Sequence, residues 1–231
     1  MGKKTQKGEV RSPIFLVMAS AISATLSVIP FGWVLLYPFR IFVTFVHEGG
    51  HALAAILTSG SVERIVIHAD ASGETYTRGG LTLLVASAGY LASCGFGALL
   101  LGLSRRGRNA EKMLFINSMM MLVITFCFLD DRFSFIIGMG LSVILFLAGM
   151  IRNGLCHLLL NFLAVQCCLN AFFDLLILLK ATTAERELHN DALILEKMTS
   201  IPALVWAIGW ALISLLFMLI GLLIYARNGR A

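Results

Sequence analysis

The residues best suited to chemistry stand in one short run, His47-Glu48-Gly49-Gly50-His51. In a helix, positions i and i+4 share a face, so both imidazoles can reach a single metal ion. Glu48 follows the first imidazole directly, where its carboxylate can hold and deprotonate a metal-bound water. The expected ion is zinc, one per chain, with His47 and His51 as ligands and Glu48 as the catalytic base. The run lies inside a long apolar stretch. Ionisable side chains are costly there unless they face a polar cavity or a metal, so their position points to function. A plainer reading has the two histidines making helix–helix hydrogen bonds with no metal.

Catalytic zinc takes three protein ligands and leaves one position open. Asp130, Asp131, His157 and Asp174 are the candidates for the third. Asp130 and Asp131 sit beside Arg132 and read as a solvated turn, while His157 falls at headgroup level. Asp174, in LNAFFDLLILL, is surrounded by apolar residues. An unpaired carboxylate at that depth would be expensive, which favours Asp174 as the ligand over a paired or neutral carboxyl. Along their helices, His51 lies about 27 Å and Asp174 about 30 Å from the start, so the two can share a level. Asn170, one turn before Asp174, could hydrogen-bond a substrate backbone or serve an interhelical contact, and Gln166 continues that face. Gly49 and Gly50 would let a substrate backbone, or a neighbouring helix, approach the metal.

Several elements must position these groups. The chain has 231 residues, 58% of them hydrophobic and 13% charged, with a mean hydropathy of +0.88. Soluble domains carry about 25% charged residues. The composition therefore excludes a disordered chain, a coiled coil and a conventional soluble enzyme, and indicates a multi-pass integral membrane protein. The formal charge of +5 comes from short basic clusters between apolar runs, where headgroups are the natural partners. No segment argues for nucleic acid. Lysine and arginine are spread too evenly over the two sides to fix orientation. The five cysteines lie in apolar runs without a Cys-x-x-Cys pair and read as small buried hydrophobes.

A spanning helix needs about 20 mostly apolar residues. The expected fold is an all-α polytopic bundle of six or seven transmembrane helices. They run near 13–30, 33–58, 80–103, 112–130, 133–151, 154–180 and 203–226, with Pro38 kinking the second. A basic tail, 1–12, precedes a single transmembrane unit, 13–231. Between the second and third helices, SVERIVIHADASGETYTRG reads as a β-hairpin over 61–79. Residues 181–202, ending at Pro202, read as a surface helix and loop.

H-E-x-x-H on a membrane helix, a hairpin after it and a late helix bearing Asn and Asp resemble the site-2 proteases, and in particular the B-like branch of that clan. YPFRIFVTFVHEGGHALAAILTSG, SGETYTRGG, Ala88-Gly89-Tyr90 and NDALILEKMTSIPALVW, with Asp191, Thr199 and Pro202, carry the likeness over most of 37–210. The resemblance implies a zinc-dependent intramembrane endopeptidase that cleaves a transmembrane segment of another protein. His47, His51 and Asp174 would be its zinc ligands and Glu48 its base. Where the family usually shows Asp-Gly, Leu175 follows Asp174, and no proline lies between Asn170 and Asp174. A site-2-protease-like protein that binds or retains clients without cleaving them is the alternative. The intact Glu48 argues against it.

Overall fold

Small residues concentrated in one helix organise the bundle. The computed structural model describes 14–104, 109–151, 154–180 and 191–227, with side chains left aside at 14, 15, 109, 154 and 170–180. The expected basic tail and residues 181–190 of the expected surface segment lie outside the described residues.

The elements run α1 (Ile14–Val28), α2 (Gly32–Leu57), β1 (Ser61–Ile67), β2 (Gly73–Arg78), α3 (Thr82–Ser104), α4 (Asn109–Phe128), α5 (Arg132–Met150), α6 (Gly154–Lys180), α7 (Asp191–Thr199) and α8 (Ala203–Arg227). Helix α3 packs against α2, α6, α7 and α8. It can do so because its Ala and Gly residues let backbones come close, the usual basis of helix association in lipid. A Cβ on Gly50 of α2 would stand 2.6 Å from Ala92 Cβ, and one on Gly97 would stand 2.7 Å from Ala164 O of α6. One on Gly221 of α8 would stand 2.9 Å from Ala98 Cα.

The protein is a multi-pass integral membrane protein. Among the described residues, α3, α4, α5 and α8 are each long and apolar enough to cross a bilayer, and α1 with α2 makes a fifth span if the bent pair counts as one. Large apolar side chains such as Phe126, Ile136 and Leu223 stand on the outside, as lipid contact requires.

The expected first helix is present as α1, described from Ile14 to Val28. Its axis and that of α2 differ by 119°. Pro30 cannot continue the helix, and Phe31 adopts φ 62°, a left-handed turn. The chain then folds back so tightly that a Cβ on Gly32 would stand 2.0 Å from Leu26 O. Pro38 lies inside α2 as expected.

The hairpin pairs antiparallel, with Ser61 opposite Arg78 and Ile67 opposite Gly73, and an irregularity between Val62 and Arg64. Ile65 and Ile67 are fully buried and join the main core. The far end of β1 is fixed to α5. Ser134 Oγ accepts from Ile67 N at 2.8 Å and donates to Ile67 O at 3.2 Å. Asp131 caps α5 by accepting from Ser134 N at 2.9 Å, which answers the unsatisfied amides of a helix start. Of the cysteines, Cys94, Cys156, Cys167 and Cys168 are buried, whereas Cys127 is exposed.

Candidate metal centre

Helix α2 delivers its three groups as its period requires. The His47 and His51 rings lie 4.7 Å apart, centroid to centroid, and Glu48 between them is 4% exposed. The third group comes from α7. Asp191 Oδ2 lies 3.2 Å from His47 Nε2 and 3.3 Å from His51 Nε2. These three side chains form a cluster able to hold a metal ion, with every ligand atom within 4.8 Å of the others. Tetrahedral zinc, with ligands at about 2.0–2.1 Å, sets them about 3.3 Å apart.

Spacing of this kind also suits a histidine–aspartate hydrogen bond, so the proton positions matter. His51 Nδ1 lies 2.6 Å from Val85 O. A carbonyl only accepts, so Nδ1 carries the proton there. Neutral His51 then turns a bare Nε2 toward the Asp191 carboxylate. Two acceptors facing each other call for a cation between them, either a second proton or a metal. An Nδ1–H held by a carbonyl is the usual outer support of a metal-bound histidine.

Room is kept by Gly89. A Cβ there would come within 2.3 Å of His47 Nε2 and 2.5 Å of His51 Nε2, so any larger residue would fill the cradle. The His47 ring meets Tyr90 edge to face at 4.7 Å, and Tyr90 stacks on Trp210 of α8 at 4.5 Å. The donor set, its spacing and this cradle all fit zinc.

Asp191 is seated by packing. The next residues of α7, Ala192 and Leu195, are buried in a cluster with Ala86, Tyr90, Ala203, Ala207 and Trp210. Glu196 Oε2 accepts from Ala203 N at 2.8 Å, tying α7 to the start of α8. Asp191 stands in the first turn of α7, where the helix dipole favours a negative charge.

Glu48 is held from the hairpin. Its Oε2 accepts from Thr75 Oγ1 at 2.6 Å. Gly73 at the start of β2 crosses so close that a Cβ would stand 2.8 Å from both Glu48 Cγ and Oε1.

The other expected residues are placed as follows. Ala88 and Ala92 of α3 fill the space over Gly50, and Gly49 faces Ile124 of α4, where a Cβ would stand 3.3 Å away. Both glycines therefore meet neighbouring helices. Asp131 caps α5, Asp130 is exposed, and His157 Nδ1 lies 2.8 Å from Ser104 O. Gln166 is buried in α6, and its Nε2 has no partner among the described residues. Asn170 and Asp174 lie in α6, where the side chains are outside the described residues. Asp191 was not among the expected ligands. Its signal, like that of Gly89, lay in the segments that carry the family likeness.

No curated protein and no solved structure matches the chain. A family model described as peptidase M50B-like matches residues 15–221. The chain belongs to the M50B-like peptidases, which is to say to the site-2 protease family.

Proposed function

We propose that this chain is a zinc-dependent intramembrane endopeptidase, with one zinc held by His47, His51 and Asp191. The observation that carries the reading is the meeting of the Asp191 carboxylate with both imidazoles, beside a buried glutamate, in a chain of a peptidase family. Zinc bound there would bring the pKa of water toward about 7 and polarise a peptide carbonyl. Glu48 would take the proton of the attacking water and pass it to the leaving amine, the two halves of general acid–base catalysis. His51 is kept in the ligating tautomer by Val85, and His47 is braced by the Tyr90–Trp210 stack. The substrate would be a transmembrane segment of another protein, reached within the bilayer. Such a helix must unwind locally before cleavage, because its carbonyls are engaged in its own hydrogen bonds. The hairpin could receive the unwound strand at an edge. On β1 the groups of Ile67 are already taken by Ser134, which favours β2.

Purified protein with a transmembrane substrate tests the reading. Wild type should carry one zinc per chain and cleave, Glu48→Gln should keep zinc and lose cleavage, and His47→Ala with His51→Ala should lose zinc. Cleavage by purified Glu48→Gln, or unchanged zinc in the double variant, would overturn it.

A further inference from the structure

Helix α2 and the hairpin are joined along one helix face, and the join runs through the general base. Thr44 and Glu48 are one turn apart and face the same way. The Thr44 hydroxyl donates to Ala71 O, at the end of the hairpin turn, at 2.6 Å. In the opposite direction, the Thr75 hydroxyl of β2 donates to Glu48 Oε2 at 2.6 Å. That hydroxyl also lies 3.2 Å from the Glu48 backbone oxygen. It has a single hydrogen, and the shorter, charge-assisted contact to the carboxylate is the stronger use of it. Glu48 Oε1 lies beside Gly73, whose missing Cβ keeps that oxygen clear. The two carboxylate oxygens are thus unequal: Oε2 accepts from the hairpin, whereas Oε1 lies against Gly73 and accepts no hydrogen bond among the described residues.

We propose that Thr75 is a positioning residue for Glu48, its hydroxyl fixing the carboxylate so that Oε1 is the oxygen that handles the proton. The inference rests on the reading of Glu48 as the base. Docking of the hairpin on α2 is then part of assembling the active site, beyond closing the surface of the bundle. A base left to rotate would spend part of its time turned away from the water it must deprotonate. Substrate binding would be little affected, because Thr75 acts through Glu48.

Full-length protein with a fixed transmembrane substrate tests this through four variants. Thr75→Val keeps the shape and removes the donor; Thr75→Ser keeps the donor. Thr75→Val should lower kcat by about 10- to 100-fold, the range expected for loss of one charge-assisted hydrogen bond, with KM changed less than about twofold and zinc content unchanged. Thr75→Ser should recover most of the rate. Amide hydrogen exchange supplies a readout independent of cleavage. Exchange in 73–78 should rise in Thr75→Val and in Glu48→Ala, and rise no further in the double variant, since both break the same bond. Wild-type kcat in Thr75→Val, equal loss in Thr75→Ser, or additive exchange in the double variant would each overturn the proposal. Should wild type cleave nothing, the protease reading falls. The exchange data then decide the Thr75–Glu48 tie alone, and unchanged protection in Thr75→Val would overturn it.

Discussion

Helix α2 and helix α7 reach the same centre by different routes. On α2 the two imidazoles and the glutamate fall within five consecutive positions, and the helical period alone puts the imidazoles on one face. On α7 a single carboxylate arrives from a helix of nine residues, far along the chain from His47. No local pattern aims it. Its aim comes from Leu195 and Ala192 buried against α3 and α8, and from Glu196 bonded to the first turn of α8. One half of the site is written in the spacing of neighbours, the other in the fit of distant surfaces. Damage should therefore act on the chemistry when it falls on α2, and on the seating when it falls on α7.

The largest effect should come from Gly89, which lies between the two halves. Gly89→Ala would push a Cβ to within 2.3 Å of His47 Nε2, so zinc content should fall far below one per chain by elemental analysis. Full zinc in that variant would show that the cradle is looser than it stands. Next comes the carboxylate itself. Asp191→Asn should weaken zinc binding by more than about 100-fold, beyond what an outer-shell change costs, while Asp174→Asn should leave it near wild type in a competition with a chelating dye. The reverse result would move the third ligand back to α6 and end the contrast between the two helices. Truncating the seat should cost less. Leu195 is fully buried, and Leu195→Ala should destabilise α7 by about 2–5 kcal/mol, seen as faster exchange in 191–199 with α2 unchanged. Equal loosening of both helices would show that they form one cooperative unit. The smallest effect belongs to Glu196→Gln, which weakens one hydrogen bond to Ala203 and should lower stability by about 1 kcal/mol or less, read as a small drop in melting temperature.

Much of the bundle was legible without coordinates. Hydropathy runs of bilayer length, broken by charges, prolines and glycines, locate the helices within a few residues, because in lipid each helix satisfies its own backbone. The hairpin over 61–67 and 73–78 was legible from alternation around a turn. The sharp bend after α1 was not: Pro30 marks a helix end, but the 119° angle between α1 and α2 depends on how the two helices pack.

His47, Glu48 and His51 were legible as a candidate metal site before any coordinates. Five-residue spacing fixes a helix face whatever surrounds it, and ionisable groups in an apolar run need a reason to be there. Coordinates were needed to show that the Asp191 carboxylate meets those imidazoles, that Gly89 leaves them room, and that Thr75 bonds Glu48. Asp174 has the more telling local setting, deep in apolar sequence, whereas Asp191 sits in an ordinary polar stretch. Which carboxylate meets the imidazoles depends on where its oxygen ends up, and for Asp191 that follows from how α7 packs on α3 and α8.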